Sequence, residues 1–155
     1  MHREQIQVPL ILHYPGRIPA GRRTEAVSLA WVPRTVVDLT GVPNVFPGPN
    51  LLTVQPGNEE EKEDPVLAEY HTLEGPKLVS LGTSRWHYIL NVRIGQEEFF
   101  DLRQDPHELT NVAGKAEAEH AMERFRGKLG ALLPALRGSY GPNAFRTSVK
   151  DAGRE

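Results

Sequence analysis

The sequence predicts a mixed α/β (α+β) chain, and three observations support that prediction. Residues 8–12 form a short, continuous apolar run, which suits a strand buried on both faces. Four further strand candidates lie between residues 66 and 102, separated by glycine-containing turns at hairpin spacing. Residues 115–133 carry apolar side chains at intervals of three and four, which is typical of an amphipathic helix. We therefore expect an antiparallel sheet packed on a helix, preceded by a separate strand and helix.

Composition excludes several classes of function. The 155 residues contain no cysteine, which excludes disulfides, thiolate metal sites, a thiol nucleophile and any cofactor made from a cysteine side chain. The formal net charge is -2, so we expect neither nucleic acid nor an anionic membrane as a partner. The apolar run near the start is too short for a secretory signal or a bilayer span. The composition does not indicate the cellular compartment.

The first predicted helix covers residues 29–40. Ser28 is a suitable N-cap, Pro33 is tolerated in the first turn, and Gly41 can adopt the left-handed conformation that ends a helix. The following stretch contains five prolines and an acidic run at residues 59–64, so we predict an exposed loop there.

The predicted strands cover residues 66–71, 77–81, 86–92 and 98–102. The third strand alternates, and its even-numbered face (Trp86, Tyr88, Leu90 and Val92) is the better candidate for the core. The opposite face carries His87, which we expect to be solvated.

Domain boundaries follow from these elements. Residues 1–65 hold the first strand and helix with the proline-rich acidic loop, and residues 66–136 hold the sheet and the amphipathic helix. Pro134 marks where the regular hydrogen-bond ladder of that helix should stop or kink. Residues 137–155 are rich in glycine, proline, asparagine and serine, and we predict a flexible tail.

The usual motifs of catalysis and metal binding are absent from the sequence. The six histidines show no metal-ligand spacing, and no nucleophile elbow, P-loop or dinucleotide fingerprint occurs. His71, at the end of a predicted strand, fits either a pocket wall or a structural role, and the structural role is the commoner one for such a histidine. No metal site is expected from this chain alone.

Residues 99–113 form a segment whose parts explain one another. An apolar strand end is followed by Asp105 and Pro106, which favour a tight turn with the aspartate accepting from backbone amides. Glu108 and Asn111 are expected to satisfy further turn amides. The segment therefore predicts a corner between a strand and a helix.

That corner resembles the carboxy-terminal signature of the sulfatases, which belong to the alkaline-phosphatase-like superfamily. In that signature a strand ending Asp-Leu is followed by x-x-Asp-Pro-x-Glu-x-x-Asn-Leu-Ala, and residues 99–113 match it with Val112 in place of leucine. Blocks near the front resemble the family's strand, loop and helix in the same order, at residues 8–16, 18–21, 27–29 and 35–41. The resemblance implies a partial alkaline-phosphatase-like fold. A strand and helix of the large sheet layer would precede a four-stranded antiparallel sheet packed on a C-terminal helix.

The resemblance also implies an activity, sulfuric ester hydrolysis, and its cofactors. Sulfatases use a divalent cation, calcium or magnesium, and a formylglycine made within a Cys/Ser-x-Pro/Ala-x-Arg motif; both sets of residues precede the strand that begins here at Val8. This chain contains no such motif. It also departs from the family at Trp31, where an aspartate is usual, and at His87, where a lysine is common. We therefore expect a C-terminal sulfatase fragment that is inactive alone.

The alternative function is a non-catalytic interaction or binding module derived from the same region. The resemblance places the C-terminal region at the substrate entrance, and it makes Tyr70, His71 and Arg85 candidates for the rim of that entrance. The expected partners are the missing N-terminal sulfatase region or a second copy of the chain, held through an exposed strand edge.

Overall fold

The computed structural model describes residues 1–43, 45–54, 63–73 and 75–140. Most of the predicted acidic loop, and the tail from residue 141 onwards, lie outside the described residues. The described residues form three α-helices and four β-strands: α1 Arg3–Ile6, α2 Val32–Thr40, β1 Val66–Thr72, β2 Gly75–Gly82, β3 Trp86–Asn91, β4 Gln96–Asp101 and α3 Ala116–Tyr140.

Helix α2 forms where the sequence predicted it. A 3₁₀ turn at Leu29–Trp31 leads into the helix, and the Ser28 hydroxyl oxygen accepts from the Ala30 amide at 3.2 Å. Gly41 ends the helix in the left-handed region, with a φ of 75° that glycine adopts without steric cost. The cap and the stop both follow the local sequence, and the predicted helix is confirmed.

The predicted strand at residues 8–12 is not formed. These residues have no regular secondary structure, and Ile11 and Val8 are 86% and 50% exposed. A strand exists only when its backbone amides and carbonyls pair with a neighbour. All described strands lie between residues 66 and 101 and pair only with one another, and none pairs with this run.

The four strands form one antiparallel sheet in the order β1-β2-β3-β4, so that each strand pairs with the next along the chain. The register places Tyr88 of β3 between Leu81 of β2 and Phe99 of β4. Side chains of directly paired residues share a face. The register therefore brings these three onto one apolar surface.

Helix α3 covers that surface and closes the core. Phe99 stacks on Trp86 with ring centroids 4.8 Å apart and meets Phe125 of α3 edge to face at 5.4 Å. Full burial of each such side chain stabilises the fold by roughly 1.5–3 kcal/mol. The cluster consists of Val79, Leu81, Trp86, Tyr88, Val92, Phe99, Ala118, Met122, Phe125 and Leu129. The predicted core face of β3 and the predicted packing of sheet on helix are confirmed.

The second face of the sheet is also covered, which corrects the expectation for His87. Its side chain is 1% exposed, beside a smaller apolar cluster of Ile89, Phe100 and Leu102. The N-terminal residues lie against this face, and the His2 ring meets Phe100 edge to face at 5.5 Å. The prediction that His87 is solvated was wrong because a second layer covers its face.

Helix α3 continues through Pro134 and reaches Tyr140, so it does not stop at the proline. A proline in a helix removes the hydrogen bond of its own nitrogen and crowds the carbonyl four residues before it. The neighbouring turns keep their own bonds, so the helix can continue past it. The helix therefore includes the first residues of the predicted tail.

Candidate functional site

The chain turns from sheet into helix at residues 99–113, as the sequence predicted. The Leu102 amide donates to the Arg85 carbonyl at 2.7 Å, which ties the end of β4 to the β2–β3 turn. The Val112 amide donates to the Phe99 carbonyl at 2.8 Å, which brings the chain back alongside β4. These two bonds fix both ends of the corner.

Two side chains complete the corner in their predicted roles. Asp105 accepts from the Thr110 amide at 2.7 Å. The side-chain oxygen of Asn111 accepts from the amides of Phe99 at 3.0 Å and Ala113 at 2.9 Å. One asparagine therefore joins the strand to the loop that enters α3.

Glu108 has a different role from the one predicted. Its carboxylate does not bind turn amides; it accepts from His87 Nδ1 at 2.6 Å, from His2 Nδ1 at 2.9 Å and from the Arg3 amide at 2.9 Å. Its side chain is 1% exposed, and its φ of 55° lies in the left-handed region. Glu108 itself adopts this uncommon backbone conformation, and its carboxylate is buried.

Two opposing effects set the ionisation of Glu108. Burial raises the pKa of its carboxyl group. The hydrogen bonds from His87, the Arg3 amide and His2, together with the charge of His87, outweigh burial, and the pKa lies below its usual range. Glu108 is therefore a buried carboxylate with donors from β3 and from α1.

A second polar network joins β4 to α3. The Tyr88 hydroxyl donates to Glu97 at 2.6 Å, and Arg126 donates two hydrogen bonds to the same carboxylate at 2.7 and 2.8 Å. The Arg126 hydrogen bonds lower the pKa of Glu97, and burial raises the pKa of Tyr88. The network links the helix to the sheet.

The structure does not bring the three rim candidates together. Tyr70 and His71 lie on β1 opposite Leu78 and Pro76, near the β1–β2 turn. Arg85 lies beyond the other end of β2, about 20 Å away at the usual rise per residue. Its guanidinium binds Asp101 at 3.0 Å and covers the Trp86 ring at 4.6 Å. A shared role at one rim stays a prediction.

The described residues assemble no metal centre. Residues 1–43, 45–54, 63–73 and 75–140 contain no group of three histidines and carboxylates that could hold a cation. They therefore do not fit the divalent cation of the sulfatases.

A shallow hollow of about 390 Å³ beside the corner opens to solvent between Arg3, Gln7 and His107. None of the described helices is long and apolar enough to cross a membrane.

Comparison with known proteins identifies the fold and the corner as those of a sulfatase C-terminal region. The family model described as "N-sulphoglucosamine sulphohydrolase, C-terminal" matches residues 1–134. The chain belongs to this family.

Curated relatives carry sulfatase names. The chain is 34% identical over 111 residues to a choline-sulfatase of Rhizobium meliloti, a match that covers 69% of this chain and 21% of that protein. It is 32% identical over 135 residues to an N-acetylglucosamine-6-O-sulfatase of Bacteroides thetaiotaomicron, which covers 76% and 23%. The match to mouse arylsulfatase K is 30% identical and covers 73% and 23%. The chain thus spans less than a quarter of each relative.

Solved structures share the fold. A protein solved in complex with its substrate D-glucosamine-2-N,6-O-disulfate superposes with a TM-score of 0.53 at 20% identity, over 67% of this chain and 23% of that one. A putative sulfatase from Bacteroides thetaiotaomicron gives 0.51 at 23% identity, over 67% and 24%. The partial alkaline-phosphatase-like fold implied by the sequence is confirmed for the sheet and its helix.

Proposed function

We propose that this chain is the C-terminal part of a sulfuric ester hydrolase and that it does not hydrolyse sulfate esters by itself. The observation that carries the proposal is the family match over residues 1–134, combined with coverage of only 21–23% of the curated relatives. The chain therefore corresponds to the C-terminal region that the family model describes.

The chemistry of the reaction supports the second half of the proposal. Sulfate transfer needs an activated nucleophile, and it needs a cation or cationic clamp for the charge that develops on the transferred group. The sequence has no cysteine and no Cys/Ser-x-Pro/Ala-x-Arg motif from which formylglycine is made. Residues that lie elsewhere in a sulfatase would have to supply both.

Exposed apolar side chains between residues 8 and 45 support the proposal that this part of the chain contacts a partner. Val8, Ile11 and Val36 are between 47% and 86% exposed, and Val45 is 83% exposed. Large contiguous apolar patches mark contact surfaces, and the exposure of these four side chains supports such a surface here. We propose that the occupant is the catalytic region of a sulfatase, whose sheet would supply the neighbour that residues 8–12 lack.

The rim prediction is kept as part of this proposal. Tyr70 is 47% exposed and lies beside His71, whose Nε2 is 3.6 Å from Glu69. Both are accessible to a substrate at the end of β1. Arg85, with Asp101 and Trp86 as partners, reaches a substrate only by exchanging those contacts.

A complementation assay tests the proposal. The purified chain is given an aryl sulfate with calcium or magnesium, alone and mixed with the formylglycine-bearing region of a related sulfatase truncated before its own C-terminal part. We expect no turnover from the chain alone and restored turnover from the mixture. Ile11→Asp should abolish the restoration. Ile94, in the β3–β4 turn, is equally apolar and 64% exposed, so Ile94→Asp is the matched control and should leave the restoration intact. Turnover by the chain alone, above a blank, contradicts the proposal.

A further inference from the structure

The two edges of the sheet differ in how their outward backbone groups are satisfied. β4 is one edge, and the chain returning from the corner bonds along it: the Val112 amide donates to the Phe99 carbonyl at 2.8 Å, and the Phe99 amide donates to the Asn111 side chain at 3.0 Å. The Asp101 carbonyl accepts from the Asp105 amide at 2.8 Å. β1 is the other edge, and no strand among the described residues pairs with its outer side. Of the two edges, β1 is therefore the one that can accept another strand.

The register shows which residues of β1 face outward. The Val92 amide donates to the Lys77 carbonyl at 3.1 Å, so the odd-numbered residues of β2 bond to β3 and the even-numbered residues bond to β1. Up to Tyr70, β1 pairs its even-numbered residues with even-numbered residues of β2. The amides and carbonyls of Leu67 and Glu69 consequently point outward from the edge.

β1 lacks the residues that commonly prevent pairing at an edge. Its seven residues, Val66–Thr72, include neither proline nor lysine. The irregularity in its pairing with β2 adds a residue to β2, at Lys77, so β1 itself alternates regularly along its length. The side chains of Glu69 and His71 therefore share one face of β1, and that of Tyr70 lies on the other.

The side chains along this edge can make further contacts. Glu69 Oε1 has no hydrogen-bond partner among the described residues, and the Nε2 of His71 lies 3.6 Å from it, beyond hydrogen-bond distance. Tyr70 is 47% exposed, and Leu73, in the turn after β1, is fully exposed. The edge thus presents a carboxylate that can accept a donor, together with exposed apolar and aromatic surface.

We propose that β1 pairs with β1 of a second copy of this chain, antiparallel and centred on Tyr70, so that two four-stranded sheets join into one. This register places directly opposite one another Glu69 and His71, Leu67 and Leu73, and Tyr70 and its own equivalent in the second copy. Opposed charged, apolar and aromatic pairs of this kind stabilise paired strands. His71 can donate to Glu69 in either charge state of the ring. A centre one residue earlier places Glu69 opposite Glu69, and a centre one residue later places it opposite Leu73, so the register centred on Tyr70 is the favoured one.

The dimer is expected to be weak, because one pair of strands buries less than the roughly 1,200 Å² of a stable interface. We expect a dissociation constant of about 10 μM to 1 mM. The β1 edge is separate from the apolar run at residues 8–12, and this inference does not depend on a role in sulfate hydrolysis.

Sedimentation equilibrium of the full, untagged chain tests the dimer. Between about 10 μM and 1 mM, the average mass should rise from that of the 17.3 kDa chain toward twice that value. Glu69→Pro removes an outward amide that β2 does not use and should raise the dissociation constant about ten-fold or more, while circular dichroism verifies that the sheet is retained. Ile11→Asp, in the exposed run at residues 8–12, is the control and should leave the dissociation constant unchanged.

A pair of charge variants tests the register. In His71→Glu two carboxylates oppose each other, and in Glu69→Lys an ammonium group opposes His71, so each variant alone should dimerise more weakly than the native chain. A mixture of the two variants restores both opposite-charge pairs and should form a heterodimer. Such a rescue also shows that both variants are folded.

Three results would overturn the proposal: a chain that is monomeric throughout the concentration range, association that Ile11→Asp removes and Glu69→Pro does not, or no rescue in the mixture of charge variants. A monomeric chain whose restoration of turnover in the complementation assay is lost in Glu69→Pro would instead assign the β1 edge to the catalytic region.

Discussion

His87 and Glu108 form a buried pair across the corner of the fold, with Nδ1 and Oε1 2.6 Å apart and each side chain 1% exposed. The histidine projects from the inner strand β3, and the glutamate lies in the turn after β4. The contact places a carboxylate where solvent cannot reach it, so its stability depends on its donors. Both residues therefore act as structural supports of the corner.

Glu108→Gln should destabilise the chain. The neutral amide accepts more weakly than a carboxylate, and its NH₂ group faces the nitrogen of His87 or of Arg3, which already donate. Hydrogen bonds to a charged group are each worth about 1.5–3 kcal/mol, so we expect a loss of about 2–3 kcal/mol in the free energy of unfolding, measured by urea denaturation. Glu123→Gln, on the exposed side of α3, is the matched control and should change it by less than about 0.5 kcal/mol. Equal effects of the two substitutions would contradict a special role for Glu108.

Asn111→Ala should destabilise the corner more than Asn111→Asp. Alanine leaves the amides of Phe99 and Ala113 without their acceptor, at a cost of about 1–3 kcal/mol. Aspartate keeps that acceptor and loses only the weak 3.4 Å donation to the Glu97 carbonyl. Thermal unfolding followed by circular dichroism measures both. Thr110→Ala is the neighbouring control, because the described contact of Thr110 is made by its backbone.

Phe125→Ala should have a large effect on stability. The ring lies between Tyr88 and Phe99 and is 1% exposed, so its removal leaves a cavity that costs about 3–5 kcal/mol. Leu109→Ala, at a position 83% exposed, removes similar apolar bulk without a cavity and should be nearly neutral. The comparison uses guanidinium unfolding midpoints. Similar midpoints for the two variants would show that α3 does not pack on the sheet as described.

Acid should weaken the contact between β4 and α3. The pKa of Glu97 is lowered in the folded chain, mainly by its hydrogen bonds from Arg126. A carboxyl group of this kind contributes stability above its unfolded pKa, and that contribution is lost as the pH falls through the folded value. In Glu97→Gln the unfolding free energy should therefore fall less steeply between about pH 5 and 3 than in the native chain. The difference should be below about 1 kcal/mol, because Arg126 is 40% exposed and solvent screens the ion pair. A decline unchanged in Glu97→Gln would argue against this contact.

The corner and the sheet could be predicted because their signals are local. Turn residues such as Asp105 and Asn111 act on amides a few positions away, and alternation in β3 shows which side chains share a face. Alternation does not show whether the opposite face is covered. The cover over His87 comes from residues about 85 positions earlier in the chain, and no local pattern encodes such a contact.

Residues 8–12 show a second limit of prediction from sequence: a local pattern does not reveal whether its partner is present. The apolar character of residues 8–12 predicts a strand buried in a sheet. That prediction holds only where a neighbouring strand is present to pair with it. No described strand serves as that neighbour, and the run stays exposed. The function could not be predicted from a metal-binding cluster either, because the part of the chain that the structure describes contains none.

The sequential strand order has a consequence for how this chain acquires its structure. Each strand meets the one just made, so loops close over few residues and little entropy is lost before the hydrophobic layer can collapse. The bond from Glu108 back to His2 spans 106 positions and must wait until the rest is in place. We expect the meander to assemble early and autonomously during synthesis, with the first residues settling onto it as the concluding event.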